Sequence, residues 1–120
     1  MLTVLAAIAG FVAVALGAFG AHGLEGQLSS EQVSWWTTAS FYLLTHAAAA
    51  LAVGLSDRTG LIRHGGYALV LGAFVFAATL YAMALGAPRW LGAVTPIGGL
   101  AMLFGWALIA WAGRHSSPSR

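Results

Sequence analysis

Four long stretches of this sequence carry no Asp, Glu, Lys or Arg, and they constrain the fold more than any other feature. They run from Leu2 to Gly20, from Ser34 to Leu55, from Tyr67 to Gly86 and from Ile97 to Gly113. Each is close to the roughly 20 residues that a helix needs to cross a bilayer. Each is also continuously apolar, and a helix satisfies its own backbone hydrogen bonds within lipid. We therefore predict an all-α fold, a four-span antiparallel transmembrane helix bundle that forms one integral membrane domain over residues 1–120.

The composition excludes an ordinary soluble domain. Hydrophobic residues make up 60% of the chain and charged residues 7%, whereas soluble domains carry roughly 25% charged residues. There is no cysteine, so disulfides and thiolate ligands are excluded. The net charge of +2 is too small to indicate binding of nucleic acid. Because Lys is absent while Ala and Gly are abundant, we expect a multi-pass protein of a bacterial inner (cell) membrane, with the lipid bilayer as its environment.

The arginines are divided unequally between the two sides of the predicted bundle. With four spans, both termini and the loop 56–66 share one side. That side holds Arg58, Arg63, Arg114 and Arg120, whereas the other side holds Arg89 and both glutamates, Glu25 and Glu31. Cytoplasmic loops carry an excess of Lys and Arg. We therefore predict that both termini are cytoplasmic, and that the first span is retained, since no basic residue precedes it as in a signal peptide.

Small residues recur on one face of the first and fourth spans. They are Gly10, Ala13 and Gly17 in the first span and Gly98 and Gly105 in the fourth. Small faces let helix backbones approach closely and gain van der Waals contact. We predict tight helix packing through these positions. The alternative is that Ala and Gly are simply frequent in membrane helices.

Local signals predict where two spans begin or end. The first span is expected to end near Gly20, with Gly20, Gly23 and Gly26 supplying the positive φ of a turn. Thr95 and Pro96 are expected to be the N-cap and first residue of the fourth span, because Pro has no amide proton to leave unpaired there.

Several motifs resemble a known family. They are GAFGAHGL at Gly17 to Leu24, W-x-T-A-x-x-Y-x-x-x-H from Trp36 to His46, the pair Leu80 and Tyr81, and TPIGG at 95–99 followed by Gly105 and Trp106. In this order they resemble domain-of-unknown-function family 423, which comprises small YgdD-like multi-span membrane proteins. The resemblance implies the fold and the membrane location. It implies no reaction and no ligand.

His46 is the one side chain in a span core that can become a cation near neutral pH. It lies about 12 residues into the second span and therefore roughly 18 Å deep, and an ionisable residue at that depth indicates function by default. Thr38 and Tyr42 share its helical stripe, while Thr79, Tyr81 and Trp106 are candidates from other spans. We predict an outward-facing polar pocket around His46. The alternative is a neutral imidazole that only locks helix packing.

His22 and Glu25 stand at the outer end of the first span, where they would complete the polar side of this pocket. Their spacing is one helical turn, as in a metal pair, but glycines surround them and no further ligand is near. Haem ligation by His46 would need a second imidazole at its depth. We predict no metal, no cofactor and no catalytic residue, and hence that the chain is not an enzyme.

Two classes of function therefore lead. The first is a non-catalytic interaction or accessory subunit of a membrane complex, with a membrane-protein partner or a second copy of the chain. The alternative is a small carrier or channel for a proton, a small solute or a lipid, which would use the pocket around His46.

Overall fold

The computed structural model describes residues 1–116, and all of their regular structure is helical. There are four α-helices: α1 (Leu2–His22), α2 (Ser30–Leu55), α3 (Leu61–Ala84) and α4 (Thr95–His115), with a short 3-10 helix at Arg89–Ala93 before α4. All four are long and apolar enough to cross a membrane. The predicted all-α, four-span fold is confirmed. The orientation of the termini stays a prediction, and Arg120 lies outside the described residues.

Each helix packs mainly on its neighbour in sequence, and α3 is the central helix. α1 lies against α2 and, more lightly, α3; α2 lies against α3; α4 lies against α3. The described part of α4 does not pack along α1 or α2. The molecule measures 56 × 27 × 20 Å, so its thin dimension is about two helix diameters. A groove therefore remains between α2 and α4, with α3 as its floor.

Four glycines bring α3 and α4 into backbone contact. A methyl group added at Gly98 would lie 2.6 Å from the carbonyl oxygen of Gly72, and one added at Gly105 would lie 2.8 Å from that of Gly65. No Cβ fits at such distances, so the two backbones touch at both levels. Gly98 and Gly105 are positions at which the sequence predicts close packing. Their partners on α3, Gly65 and Gly72, are found only in the structure.

The small face of α1 lies against α2 more loosely. Ala13 is buried, and a methyl group added at Gly10 would lie 3.9 Å from Cβ of Ala47. One added at Gly17 would lie 3.8 Å from the side chain of Ser40. These are ordinary van der Waals distances, so this interface has room for a methyl group but not for a large side chain.

The predicted role of Gly20 and Gly23 in a positive-φ turn is wrong. α1 continues to His22, Gly23 has φ −79°, and of the three glycines only Gly26 has a positive φ, +73°. A Cβ at Gly23 would lie 2.6 Å from the half-exposed ring of Phe19, so that ring would have to move to accommodate it.

Gly20 makes room for a side chain. A Cβ at Gly20 would collide with the indole of Trp36 on α2. That indole is buried and donates its Nε1–H to the carbonyl oxygen of Leu16, 2.7 Å away. Close approach of α1 and α2, rather than backbone freedom, explains this glycine.

The predicted N-cap at Thr95 is also wrong. The N-cap of α4 is Val94, without a side-chain cap bond, and Pro96 lies one position further into the helix than predicted. The Thr95 hydroxyl instead bonds to α3 and to the carbonyl oxygen of Leu91. The start of α2, by contrast, has side-chain caps, because Ser29 and Gln32 form a reciprocal capping box.

Candidate functional site

His46 is buried near the middle of α2, and both of its ring nitrogens are hydrogen-bonded. Nδ1 lies 2.8 Å from the carbonyl oxygen of Tyr42, one turn earlier on the same helix, and also 3.2 Å from the Thr45 hydroxyl. Nε2 lies 3.1 Å from Nε1 of Trp106 on α4. A carbonyl oxygen only accepts and an indole N–H only donates. The geometry therefore describes a neutral imidazole with its proton on Nδ1 and its lone pair on Nε2.

Aromatic rings surround His46 and line the groove. The Tyr42 ring stacks on the imidazole at 5.8 Å between centroids, and the Trp106 ring meets the imidazole nearly edge-on at 5.9 Å. Phe76 of α3 lies 4.7 Å from the Tyr42 ring. These residues and Gly99, Met102 and Leu103 of α4 line a cavity of about 370 Å³. Apart from the His46–Trp106 pair and the Tyr42 hydroxyl, this cavity is apolar.

Thr79 does not reach His46. Its hydroxyl lies 2.7 Å from that of Thr95, within the α3–α4 interface, and 2.9 Å from the carbonyl oxygen of Phe76. Both threonines are buried. This pair ties the start of α4 to α3 and takes no part in the groove.

Tyr81 belongs to a third, separate pair. Its hydroxyl lies 2.7 Å from Oγ of Ser40 on α2, and its ring lies 4.6 Å from that of Trp36. The cluster fills the α1–α2–α3 core on the other side of α3 from the groove. Thr38 is half-buried and makes no side-chain hydrogen bond in the described structure.

His22 and Glu25 lie at the end of the bundle and not in the groove. Both are exposed, His22 as the last residue of α1 and Glu25 in the following turn. No group of three or more His, Cys, Asp or Glu residues among positions 1–116 could hold a metal ion. Of the residues expected in one polar pocket, the structure thus brings together Tyr42, His46 and Trp106, and separates the others.

An ion pair at the same end was not identified from the sequence. Arg89, before α4, makes two parallel hydrogen bonds to Glu31 of α2, at 3.1 and 2.9 Å. The Arg89 guanidinium also lies 5.3 Å from the centre of the Trp35 ring. Both charged side chains are mostly exposed, 75% and 53%, so the pair positions the loop and contributes little stability. The sequence places Glu31 and Arg89 in the two connecting segments on one side of the membrane, and their opposite charges could have predicted the pair.

The comparisons with known proteins agree with the fold and name no activity. A family model described as "Protein of unknown function (DUF423)" matches residues 16–99. A UPF0382 membrane protein of Staphylococcus epidermidis is 41% identical over 111 residues, which cover 91% of this chain and 91% of its own. The UPF0382 membrane protein YwdK of Bacillus subtilis is 36% identical, with 91% and 92% covered.

The similarity extends beyond bacteria. A UPF0382 membrane protein of Schizosaccharomyces pombe is 41% identical over 108 residues, which cover 85% of this chain and 92% of its own. No solved structure matches the chain. The matched region includes α2, α3 and the start of α4, and hence Tyr42, His46 and Phe76 of the groove.

Proposed function

This chain belongs to the DUF423 family of membrane proteins, and we propose that it is a non-catalytic accessory subunit of a membrane complex, located in a bacterial inner (cell) membrane. Its partner is another multi-span membrane protein or a second copy of the chain.

The dispersal of the polar side chains within the spans supports this proposal. His46 pairs with Trp106, Ser40 with Tyr81, and Thr79 with Thr95, each in a different part of the structure. Catalysis needs a nucleophile, base or acid within hydrogen-bond reach of one another and of a substrate. In the described spans the side-chain pairs hold helices together instead, and no such group of residues converges.

The exposure of the two outer helices is consistent with assembly. Phe11 on α1 is 76% exposed and Phe104 on α4 is 60% exposed, and only a narrow strip of each helix is buried. Lipid covers such faces when the protein is alone. A partner covers them where its surface packs better than lipid does, because van der Waals contact drives helix association in membranes.

Gentle extraction from native membranes tests the accessory role. A photo-crosslinking residue is placed at Phe11, at Phe104 and, as a buried control, at Ala73. We expect the chain to be extracted in a complex larger than its own 12.3 kDa, with a constant ratio of chain to partner. We also expect a discrete crosslink to a protein from at least one of the two outer positions. Extraction of the chain alone, with crosslinks to lipid only, would contradict the proposal.

A small carrier is the second candidate, and the groove at His46 favours it. The cavity of about 370 Å³ lies against His46, the one buried histidine among the described residues. Purified protein in liposomes is assayed for flux, with an entrapped pH-sensitive dye for protons and with a radiolabelled solute for solutes. We expect flux that His46→Gln abolishes without loss of folded protein. Flux equal to that of empty liposomes would exclude the carrier.

A further inference from the structure

The groove has the features of a ligand site, and its chemistry defines the class of ligand. We propose that the groove between α2 and α4 binds a neutral, lipid-soluble molecule whose head is a flat ring bearing a carbonyl oxygen, which is the chemistry of a quinone. An accessory subunit and a carrier are both compatible with such a ligand, so this site goes beyond either role.

The depth of the groove requires a neutral ligand. Tyr42 lies about 18 Å along α2 from Ser30 at 1.5 Å per residue, in the middle of that helix. A charged head group is strongly disfavoured at such a depth. Leu103 and Trp106 of α4, which line the groove, are 66% and 47% exposed in the isolated chain. The groove is therefore open sideways, and its ligand enters from the hydrocarbon of the bilayer.

The walls of the groove are suited to a flat ring. Three aromatic side chains line it, one from each helix: Tyr42 from α2, Phe76 from α3 and Trp106 from α4. Aromatic rings favour stacked and edge-to-face contacts with other rings. Met102 adds a buried thioether, which also packs well against rings.

The free hydrogen-bonding group of the groove is the hydroxyl of Tyr42, whose O–H can donate. Both nitrogens of His46 are used, one on the Tyr42 carbonyl oxygen and one on Trp106. The Tyr42 hydroxyl takes part in none of the side-chain hydrogen bonds of the described residues, and Tyr42 is 38% exposed. A hydroxyl without a partner in hydrocarbon is unfavourable. A ligand that places a carbonyl oxygen against it supplies the missing acceptor.

The volume of the groove admits a ring and the start of a tail. The cavity of about 370 Å³ lies within the range of about 300 to 1,000 Å³ usual for ligand sites. Gly99 leaves one wall without a side chain, and a Cβ added there would meet nothing within 4 Å. The rest of an apolar tail passes out through the open side into the bilayer.

A titration of the purified full chain in detergent micelles tests the site. The probe is a benzoquinone with a decyl tail, and the readout is the indole N–H signal of Trp106 in an ¹⁵N-labelled sample. Decylbenzene, with the same tail and a ring without oxygen, is the matched probe. We expect a saturable shift of the Trp106 signal with the quinone, and with decylbenzene only a weak shift that does not saturate.

Two variants and two controls locate the binding. Tyr42→Phe should weaken the quinone about three- to tenfold, which corresponds to one net hydrogen bond. Tyr67→Phe removes a hydroxyl outside the groove and should leave binding unchanged. Gly99→Leu fills the groove and should abolish the saturable shift. Gly113→Leu, at a position equally free of neighbours but outside the groove, should not.

Three results would overturn the proposal. They are equal binding of decylbenzene and the quinone, unchanged binding in Gly99→Leu, and unchanged binding in Tyr42→Phe. The conservative loss of one hydroxyl keeps the test valid if the larger Leu side chain prevents folding. If the quinone shifts all the indole signals together, in proportion to its concentration, the probe is partitioning into the micelles. That result also counts against a site.

Discussion

Trp106 on α4 donates its indole N–H to Nε2 of His46 on α2, with 3.1 Å between the nitrogens. The bond crosses the groove between two helices that do not pack along each other. Since Nδ1 faces a carbonyl oxygen, protonation of Nε2 would set one N–H against another. The bond therefore exists only with the neutral ring, and a cation at this depth is disfavoured in any case.

We expect His46 to be the neutral Nδ1–H tautomer at pH 7. The ¹⁵N chemical shifts of the two ring nitrogens distinguish this form from the Nε2–H tautomer and from the imidazolium. The exposed His22 serves as the internal control. A ring protonated on Nε2 at pH 7 would contradict the arrangement of donors and acceptors described here.

The His46–Trp106 bond should couple the two residues in stability. Trp106→Phe leaves the lone pair of Nε2 without a donor and should cost about 1 to 2 kcal/mol in the free energy of unfolding. His46→Gln should have a similar effect, and the double variant should lose less than the sum of the two. Thermal unfolding in detergent measures all three. Strict additivity would mean that the bond contributes nothing.

Substitution of two adjacent glycines of α4, Gly98 and Gly99, should affect stability very differently. Gly98→Ala places a methyl group 2.6 Å from the carbonyl oxygen of Gly72, whereas Gly99→Ala places one where nothing lies within 4 Å. We expect Gly98→Ala to destabilise the fold by about 2 kcal/mol or more and Gly99→Ala to leave the melting temperature within a few degrees of the parent value. Equal effects of the two substitutions would rule out backbone contact at Gly98.

Both termini should be cytoplasmic. Arg58, Arg63 and Arg114 lie at one end of the described bundle, and Arg89 lies at the other with Glu25 and Glu31. A reporter that is active only in the cytoplasm, fused to either terminus, should be active, and one fused after Glu25 should be silent. The reverse pattern would show that arginine counting does not set the orientation of this chain.

The spans could be predicted from the sequence, whereas most of their ends could not: of the predicted bounds, only the start of α1 at Leu2 and the end of α2 at Leu55 coincide with the structure. Runs of about 20 uncharged residues identify a membrane-crossing helix, but the helix continues past the apolar run where the backbone stays regular. α3 begins at Leu61 and includes Arg63 and His64 in its first turn. α2 begins at Ser30, where the Ser29 and Gln32 side chains cap it. Polar caps and charged first turns are features of helix ends in the head-group region, which hydropathy does not detect.

The groove was only partly predictable, because depth along a helix does not tell which neighbour a side chain faces. Tyr42 and His46 are one turn apart, so their proximity follows from helix geometry. Trp106 was one of three candidates from other spans, and the other two, Thr79 and Tyr81, face Thr95 and Ser40 instead. That choice depends on how α4 is rotated about its axis, and packing against α3 sets this rotation.

The spacing of the α3 glycines matches that of their partners on α4 and could have predicted the α3–α4 interface. Gly65 and Gly72 are seven residues apart, as are Gly98 and Gly105 of α4, and antiparallel helices bring the two pairs together. A spacing of seven keeps residues on one helical face. Matching the two spacings would have identified the interface before the structure did.

The packing of each helix on the one before it has a consequence for biosynthesis. α1 meets α2, and α2 meets α3, in the order in which a ribosome delivers them to the membrane. Each of these helix pairs is adjacent in the sequence, so a newly inserted helix meets a neighbour that is already in the membrane. The α4-facing surface of α3 is completed last, because Gly65 and Gly72 face lipid until α4 is inserted. Truncation before α4 would therefore leave a bare glycine strip on the central helix, and such a strip is a recognition surface for any small-faced helix nearby.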